Sequence, residues 1–351
     1  MNVLVINPGN TSTKVAYWED EKEVWREEIS YDFETLKRFP SILDQMEMRL
    51  QNIKGLLQVH QVEKIDCVMG RGGLFKPLEG GTYRVNDKMV ADIKSGNMRA
   101  EHISNIGALL ALEIAREYNA EAFIADPVSV DEFDEVARIS GIPELEREAL
   151  QHTLNIKRTA RKACEQINKE FNKANYVVAH LGSGISICPV RGGRIVDANN
   201  AIQEGPFSPE RAGGLPAYSL MELCFSGKYD KKWFKKRMMG NGGMVAYLGT
   251  NDLRQVLKMI DEGDKKAKLI YDAMVYQIAK EIGAMATVLK GNVDAILLTG
   301  GLARSDRLCK DIEERVSFIA PVLVFPGENE MEALAEAGFR VLKGEEPPKE
   351  Y

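Results

Sequence analysis

Apolar residues fall in short dense runs separated by polar, glycine-bearing turns, with longer stretches of helical spacing between them. Two of the short runs share one design. Val3-Leu4-Val5-Ile6 leads through Asn7-Pro8-Gly9-Asn10-Thr11-Ser12 into Thr13-Lys14-Val15-Ala16. Val177-Val178-Ala179-His180-Leu181 leads through Gly182-Ser183-Gly184 into Ile185-Ser186-Ile187. Each reads as strand, tight turn, strand. Superposing Asn7 on His180 puts Gly9 on Gly182 and Asn10 on Ser183. A turn whose backbone N–H groups approach a phosphate has no room for side chains, and glycine meets that need. Two such turns predict a duplicated α/β fold with a nucleotide between its halves.

The remaining pattern fits that frame. Further strands are expected at residues 24–29, 65–69 and 122–125, and at 194–197, 293–299 and 322–325. Helical spacing covers 33–53, with Pro40 near its first turns, then 86–95, 103–118 and 156–171. It recurs at 217–225, 231–239, 251–261, 264–289, 306–317 and 331–342. Both halves open with a meander and continue with alternating helix and strand, the pattern of α/β layers. Gly70-Arg71-Gly72-Gly73 reads as a flexible loop carrying one cation, and residues 199–216 as a long Gly/Pro-rich loop. Periodicity weakens between Arg138 and His152, where Gly141 and Pro143 intervene, which puts a domain boundary near Leu150. The expected domains are 1–150 with 330–351, the last helix returning to the first half, and 151–329.

Composition narrows the class. At 351 residues the chain exceeds one ordinary core and fits two domains. A net charge of −6 without a basic stripe argues against a nucleic-acid partner, and the basic residues 231–237 read as a solvated helix face. Cys67, Cys164, Cys188, Cys224 and Cys309 lack CxxC spacing, which predicts reduced, buried thiols in a cytoplasmic protein. Met1 opens directly into a strand, so no signal peptide is expected. No run reaches the roughly 18 apolar residues of a membrane span.

Eight motifs then carry a resemblance. They are INPGNTSTK (6–14), EHISNIGAL (101–109), ADPVSVD (125–131), HTLN (152–155), HLGSG (180–184), EGPFSPERAGGLP (204–216), LTGGLARS (298–305) and FPGENE (325–330). Together and in order they resemble the acetate/butyrate kinase family, within the actin-like, sugar-kinase-like ATPase superfamily, and its butyrate branch more than its acetate branch. The resemblance implies two duplicated actin-like (ribonuclease-H-like) domains with a nucleotide cleft between them. It implies reversible transfer of the ATP γ-phosphoryl to a short-chain carboxylate such as butyrate, with Mg²⁺. It also implies a homodimer or larger homo-oligomer through the second domain. Where acetate kinases carry an arginine three residues before a His-Gly-Gly, this chain has Val68, with Arg71 in place of the histidine. The carboxylate-anchoring role is therefore assigned to Arg71.

A carboxylate is already ionised at neutral pH, so the reaction needs no general base. It needs in-line positioning and positive charge around the transferring oxygens. The resemblance makes Arg211 the catalytic arginine, whose planar fork suits two phosphoryl oxygens, and His152 a donor to the transferring group. Asp126, at a strand's carboxyl end, orients Mg²⁺ or the reacting groups, and Asn7 faces the phosphoryl site. Glu330 is linked to Mg²⁺ through water, with Glu332 as the alternative register. His102 is placed on the acid side, and His60 belongs to no motif and reads as surface. Gly182, Ser183, Gly184 and His180 are expected at the ATP phosphates, with Ser12 and Lys14 at the first turn. Gly300 and Gly301 are expected to let the adenosine lie on bare backbone. Closure of the glycine-bearing loop 199–216 would exclude competing water. Kinases for isobutyrate, propionate or acetate remain open beside butyrate, as does a sugar kinase using Asp126 as base.

Overall fold

The computed structural model describes residues 1–351, and they divide into two compact units, Met1–Asp131 with Asn329–Tyr351, and Glu132–Glu328. In the first unit the strands are β1 (Asn2–Pro8), β2 (Ser12–Glu19), β3 (Lys22–Ser30), β4 (Cys67–Arg71), β5 (Thr82–Arg84) and β6 (Glu121–Ala125). Their order in the sheet is β3-β2-β1-β4-β6-β5. β1 runs antiparallel to β2 and parallel to β4, and β4 runs parallel to β6. In the second unit the strands are β7 (Asn175–Leu181), β8 (Ile185–Arg191), β9 (Arg194–Ile195), β10 (Ala295–Gly300) and β11 (Val322–Pro326). Their order is β11-β10-β7-β8-β9, with β7 antiparallel to β8 and parallel to β10. Read from the meander edge, β9-β8-β7-β10-β11 repeats β3-β2-β1-β4-β6 strand for strand and direction for direction. The duplication read from the two turns is therefore a duplication of whole sheets.

Alternation along the strands sets the layers. Leu4, Ile6 and Val68 face the helices Met46–Val59 and Ile106–Glu117. Val3, Cys67 and Met69 face the helix Glu330–Leu342, whose Gly338 lets the backbone come close to those three side chains. In the second unit Val177, Ala179 and Leu181 pack with the long helix Lys265–Val288. Tyr176 and Val178 pack with Ile156, Ala160 and Ala163 of the helix Thr153–Ile167. His180 follows Tyr176 and Val178 in register, which aims it at that same helix.

Several expectations change. The division falls after Asp131 rather than near Leu150, because Phe133, Ala137 and Ala149 pack into the second unit's core. Residues 33–53 are not one helix. A single turn, Phe33–Leu36, ends before Pro40, and the helix proper is Met46–Val59. Proline has no N–H to donate and clashes with the preceding turn. Gly70 and Arg71 are buried in β4 rather than in a loop, and the irregular stretch begins only at Gly72 and Gly73. A Cβ on Gly70 would lie 2.3 Å from the Gly107 carbonyl, and one on Gly72 would lie 2.6 Å from Pro127 Cβ. These glycines serve close approach, not mobility. His60 is half-buried and stacks on Trp25 with centroids 4.2 Å apart. Cys224 is exposed, whereas the other free cysteines are buried. No helix is long and apolar enough to cross a membrane.

Candidate active site

In the first unit, parallel β1 and β4 end side by side, which brings Asn7 and Arg71 to one edge of the sheet. The helix Glu330–Leu342 begins beside them. Asn7 Nδ2 donates to Glu330 Oε2 at 2.9 Å, and Arg71 Nη2 pairs with Glu330 Oε1 at 2.9 Å. Glu332 instead meets Arg26 at 2.7 Å, so the geometry separates the two glutamates. Arg71 Nη1 is buried and has no hydrogen-bond partner. An unsatisfied buried donor costs about 1–3 kcal/mol, and one fork of this guanidinium is thus open to a second anion.

His102 caps the short helical turn Ile103–Asn105. Its Nδ1 accepts from the Ser104 N–H at 3.3 Å and lies 2.7 Å from Ser104 Oγ. That partner places the ring proton on Nε2. Burial, helped by the Arg71 charge, lowers its pKa and keeps the ring neutral. A cavity of about 350 Å³ lies against His102, lined by Ile42, Leu43, Ile93, Met98 and Ile106. Asp126 closes β6 with φ of +40°, a region that residues with a Cβ rarely adopt. Its Oδ1 accepts the Gly81 N–H at 2.8 Å, and its own N–H donates to the Gly81 carbonyl at 3.0 Å. Lys14 is exposed on β2, opposite Asn7 in register, and Ser12 begins the same strand.

In the second unit, His180 is the last residue but one of β7 and lies on the face of the helix Thr153–Ile167. Asn155 of that helix donates through Nδ2 to the carbonyls of Gly327 and Glu328, at 3.3 and 2.7 Å. Its Oδ1 therefore faces His180 Nδ1, at 2.7 Å, and fixes that nitrogen as the donor. Burial, with the His152 and Arg211 charges added, holds the His180 pKa well below the ordinary imidazole range. Its Nε2 is buried without a hydrogen-bond partner and lies beside Gly182, where a Cβ would approach it to 3.2 Å. His152 stacks on the His180 ring, centroids 3.9 Å apart, and its Nδ1 lies 3.0 Å from Ser186 Oγ.

Arg211 joins this group through the turn itself. Ser208 Oγ donates to the Ser183 carbonyl and accepts the Arg211 N–H at 3.0 Å. The loop 208–211 is thus tied to the Gly-Ser-Gly turn. The Arg211 guanidinium lies against Gly184, where a Cβ would fall 2.5 Å from Nη1 and 2.6 Å from Cζ. Its Nε is buried and unpartnered, and burial lowers its pKa. Gly184→Ala should therefore push a mobile side-chain end rather than backbone. We expect a kcat loss of about 10- to 100-fold with an unchanged melting temperature, since misplacement of a positioned group is costly. Wild-type kcat in that variant would show that Arg211 tolerates displacement.

Gly300 and Gly301 play different parts. A Cβ on Gly300 would lie 2.4 Å from the Leu181 carbonyl oxygen, so this glycine serves strand packing. Nothing lies within 4 Å of a Cβ on Gly301, which leaves bare backbone. Sequence reasoning missed Asn155, Ser186 and Ser208, although Asn155 and Ser208 stand inside quoted motifs. Their signal was polarity at positions that the helix and loop bury.

Residues 151–320 match the model of the acetokinase family. The chain is 51% identical over 351 residues to "probable butyrate kinase 2" of Caldanaerobacter subterraneus subsp. tengcongensis, covering 99% of each. Its fold is similar to the crystal structure of acetate kinase from Porphyromonas gingivalis, with a TM-score of 0.78 at 18% identity, covering 97% of this chain and 99% of that one. It is also similar to a propionate kinase structure from Francisella tularensis, with a TM-score of 0.71 at 18% identity, covering 96% and 98%. Fold and sequence relation together place the chain in the acetokinase family of acetate and butyrate kinases, on the duplicated actin-like ATPase fold.

Proposed function

We propose that this chain is a short-chain fatty-acid kinase that transfers the γ-phosphoryl of ATP to butyrate, giving butyryl phosphate and ADP, and that it runs in reverse. The observation that carries the reading is Arg71, buried, half-paired to Glu330 and open at Nη1. That open donor anchors the acid's carboxylate, and His102 Nε2–H adds a second hydrogen bond. The neighbouring apolar cavity suits a short alkyl chain better than a sugar. Asp126, which a sugar kinase would need as base, already accepts the Gly81 N–H.

Arg211 binds the oxygens of the transferring phosphoryl group, and the stacked His152 and His180 rings border it. Ser183 and Gly184 hold the β and γ phosphates by backbone N–H groups, whereas the Gly182 N–H, expected to do the same, donates to the Gly184 carbonyl at 3.2 Å and closes the turn; Gly301 gives the adenosine a bare surface. Asn7, Ser12 and Lys14 serve the first turn. Mg²⁺ prefers hydrated oxygen ligands with few carboxylates, and Glu330, a carboxylate held beside Asn7 and Arg71, fits a metal-bound water. Asp126 is the second candidate. The ion, when bound, neutralises phosphate charge. The exposed apolar residues Tyr218, Met221 and Phe225, on a helix that buries nothing, support a homodimer formed through the second unit. ATP as substrate and free thiols support a cytoplasmic location.

Hydroxylamine trapping of acyl phosphate across acetate, propionate, butyrate, isobutyrate and valerate tests the reading. We expect butyrate to give the highest kcat/KM, by about 10- to 200-fold per methylene. No hydroxamate from any acid would end it. Arg71→Ala should raise KM for butyrate about tenfold or more and leave KM for ATP within about twofold. An unchanged acid KM would return the anchor to another residue.

A further inference from the structure

Arg49, on the helix Met46–Val59, is completely buried yet makes no ion pair. Its Nη1 donates to the carbonyls of Gly9 and Ser12, both at 3.0 Å, and to Thr13 Oγ1 at 2.8 Å. Its Nη2 donates to the Asn10 carbonyl at 3.3 Å and to Gln45 Oε1 at 2.9 Å, and Nε reaches the same oxygen at 3.2 Å. The guanidinium lies over the Tyr31 ring, 4.5 Å from its centroid, while the Tyr31 N–H donates to the Thr11 carbonyl at 2.8 Å. Every carbonyl from Gly9 to Ser12 therefore meets a donor supplied from the protein interior. In a trans peptide the C=O and the N–H point in opposite directions. The N–H groups of Asn10 and Thr11 must then emerge on the face away from Arg49. Both residues are exposed, and neither N–H bonds to another protein group. Consecutive outward amides form the kind of concavity that receives phosphoryl oxygens.

We propose that Arg49 is the positioning residue of the first turn. It holds the carbonyls of Gly9, Asn10 and Ser12 inward so that the amides of Asn10 and Thr11 face the oxygens of the transferring phosphoryl group. The role rests on the kinase reading given above. A lysine keeps the charge but not the planar fork that spans several acceptors at once. The positive charge, without a carboxylate beside it, also favours an anion on the far side of the turn.

Arg49→Lys removes the fork, and Gln45→Leu removes the acceptor that orients it from a partly exposed position. We expect kcat for butyryl phosphate formation to fall about 100-fold and about tenfold respectively, with both KM values within about threefold of wild type. In the wild-type protein, added MgATP should shift the amide resonances of Asn10 and Thr11. In the variants those shifts should shrink while the shifts of Gly182 and Ser183 persist. An arginine of purely structural value would lower the melting temperature and leave kcat and the shifts unchanged, and that outcome overturns the proposal. If Arg49→Lys does not fold, Gln45→Leu decides the matter. A wild-type chain that makes no acyl phosphate defeats the kinase reading alone, and the Asn10 and Thr11 shifts then decide the role of Arg49.

Discussion

Replacing Arg211 by alanine should lower kcat for butyryl phosphate formation by about 10³-fold or more while the protein stays folded. The transferring phosphoryl spreads negative charge over its equatorial oxygens, and a fixed guanidinium is stronger there than in water. Arg211 meets the structural requirements. It is held against Gly184, its loop is pinned by Ser208, and no carboxylate pairs with it. Stability should be kept because the truncation breaks no ion pair and removes a buried Nε that has no hydrogen-bond partner. Arg211→Lys should recover little, since a point charge does not replace a planar fork. Steady-state assays with butyrate and MgATP, with circular dichroism of both variants, check this. Activity within tenfold of wild type in Arg211→Ala would remove it from the mechanism.

Gly300→Ala should produce the largest loss of stability among the glycines of the quoted motifs. Its φ is +89°, where a Cβ costs about 1–3 kcal/mol. The added Cβ also meets backbone, the Leu181 oxygen at 2.4 Å and its carbon and nitrogen at 2.7 Å, and a packed strand cannot yield as a side-chain end can. A combined cost of about 3 kcal/mol or more, at about 2–4 °C per kcal/mol, predicts a fall in Tm of roughly 6–12 °C. Gly301→Ala, in open space, should stay within about 0.5 kcal/mol of wild type. Its effect should appear in KM for ATP. Thermal scans of the pair check the contrast, and equal melting temperatures would refute it.

Both turns were legible because a strand–glycine–strand reversal is a local signal, and the duplicated sheets followed from finding it twice. Other features depend on partners distant in sequence. Pro40 is in plain sight, but apolar spacing continues past it and hides the break between Phe33–Leu36 and Met46–Val59. Gly70, Gly72 and Gly73 read as flexible until Gly107, Pro127 and Asn105 are seen packed against them. Phe133, Ala137 and Ala149 lie in the first half by pattern and in the second unit by packing. The choice between Glu330 and Glu332 needed Asn7 and Arg26, more than three hundred residues away. β5, only three residues long, carries too little alternation to be read. Arg49 stood in plain view on an apolar stripe with Met46, Leu50, Ile53 and Leu57, where a cation is out of character. Its acceptors are main-chain carbonyls, which no side-chain pattern reveals.

The return of segment 329–351 to the first unit has a consequence for biosynthesis. Residues 132–328 are contiguous and can fold as they leave the ribosome, since domains fold as units during synthesis. The first unit, begun earlier, must wait, because one face of its sheet stays uncovered until the helix Glu330–Leu342 is made. A chain cut short before that helix would lack both this cover and the Glu330 carboxylate that holds Asn7 and Arg71. Premature termination therefore yields a complete second unit beside an unfinished first one.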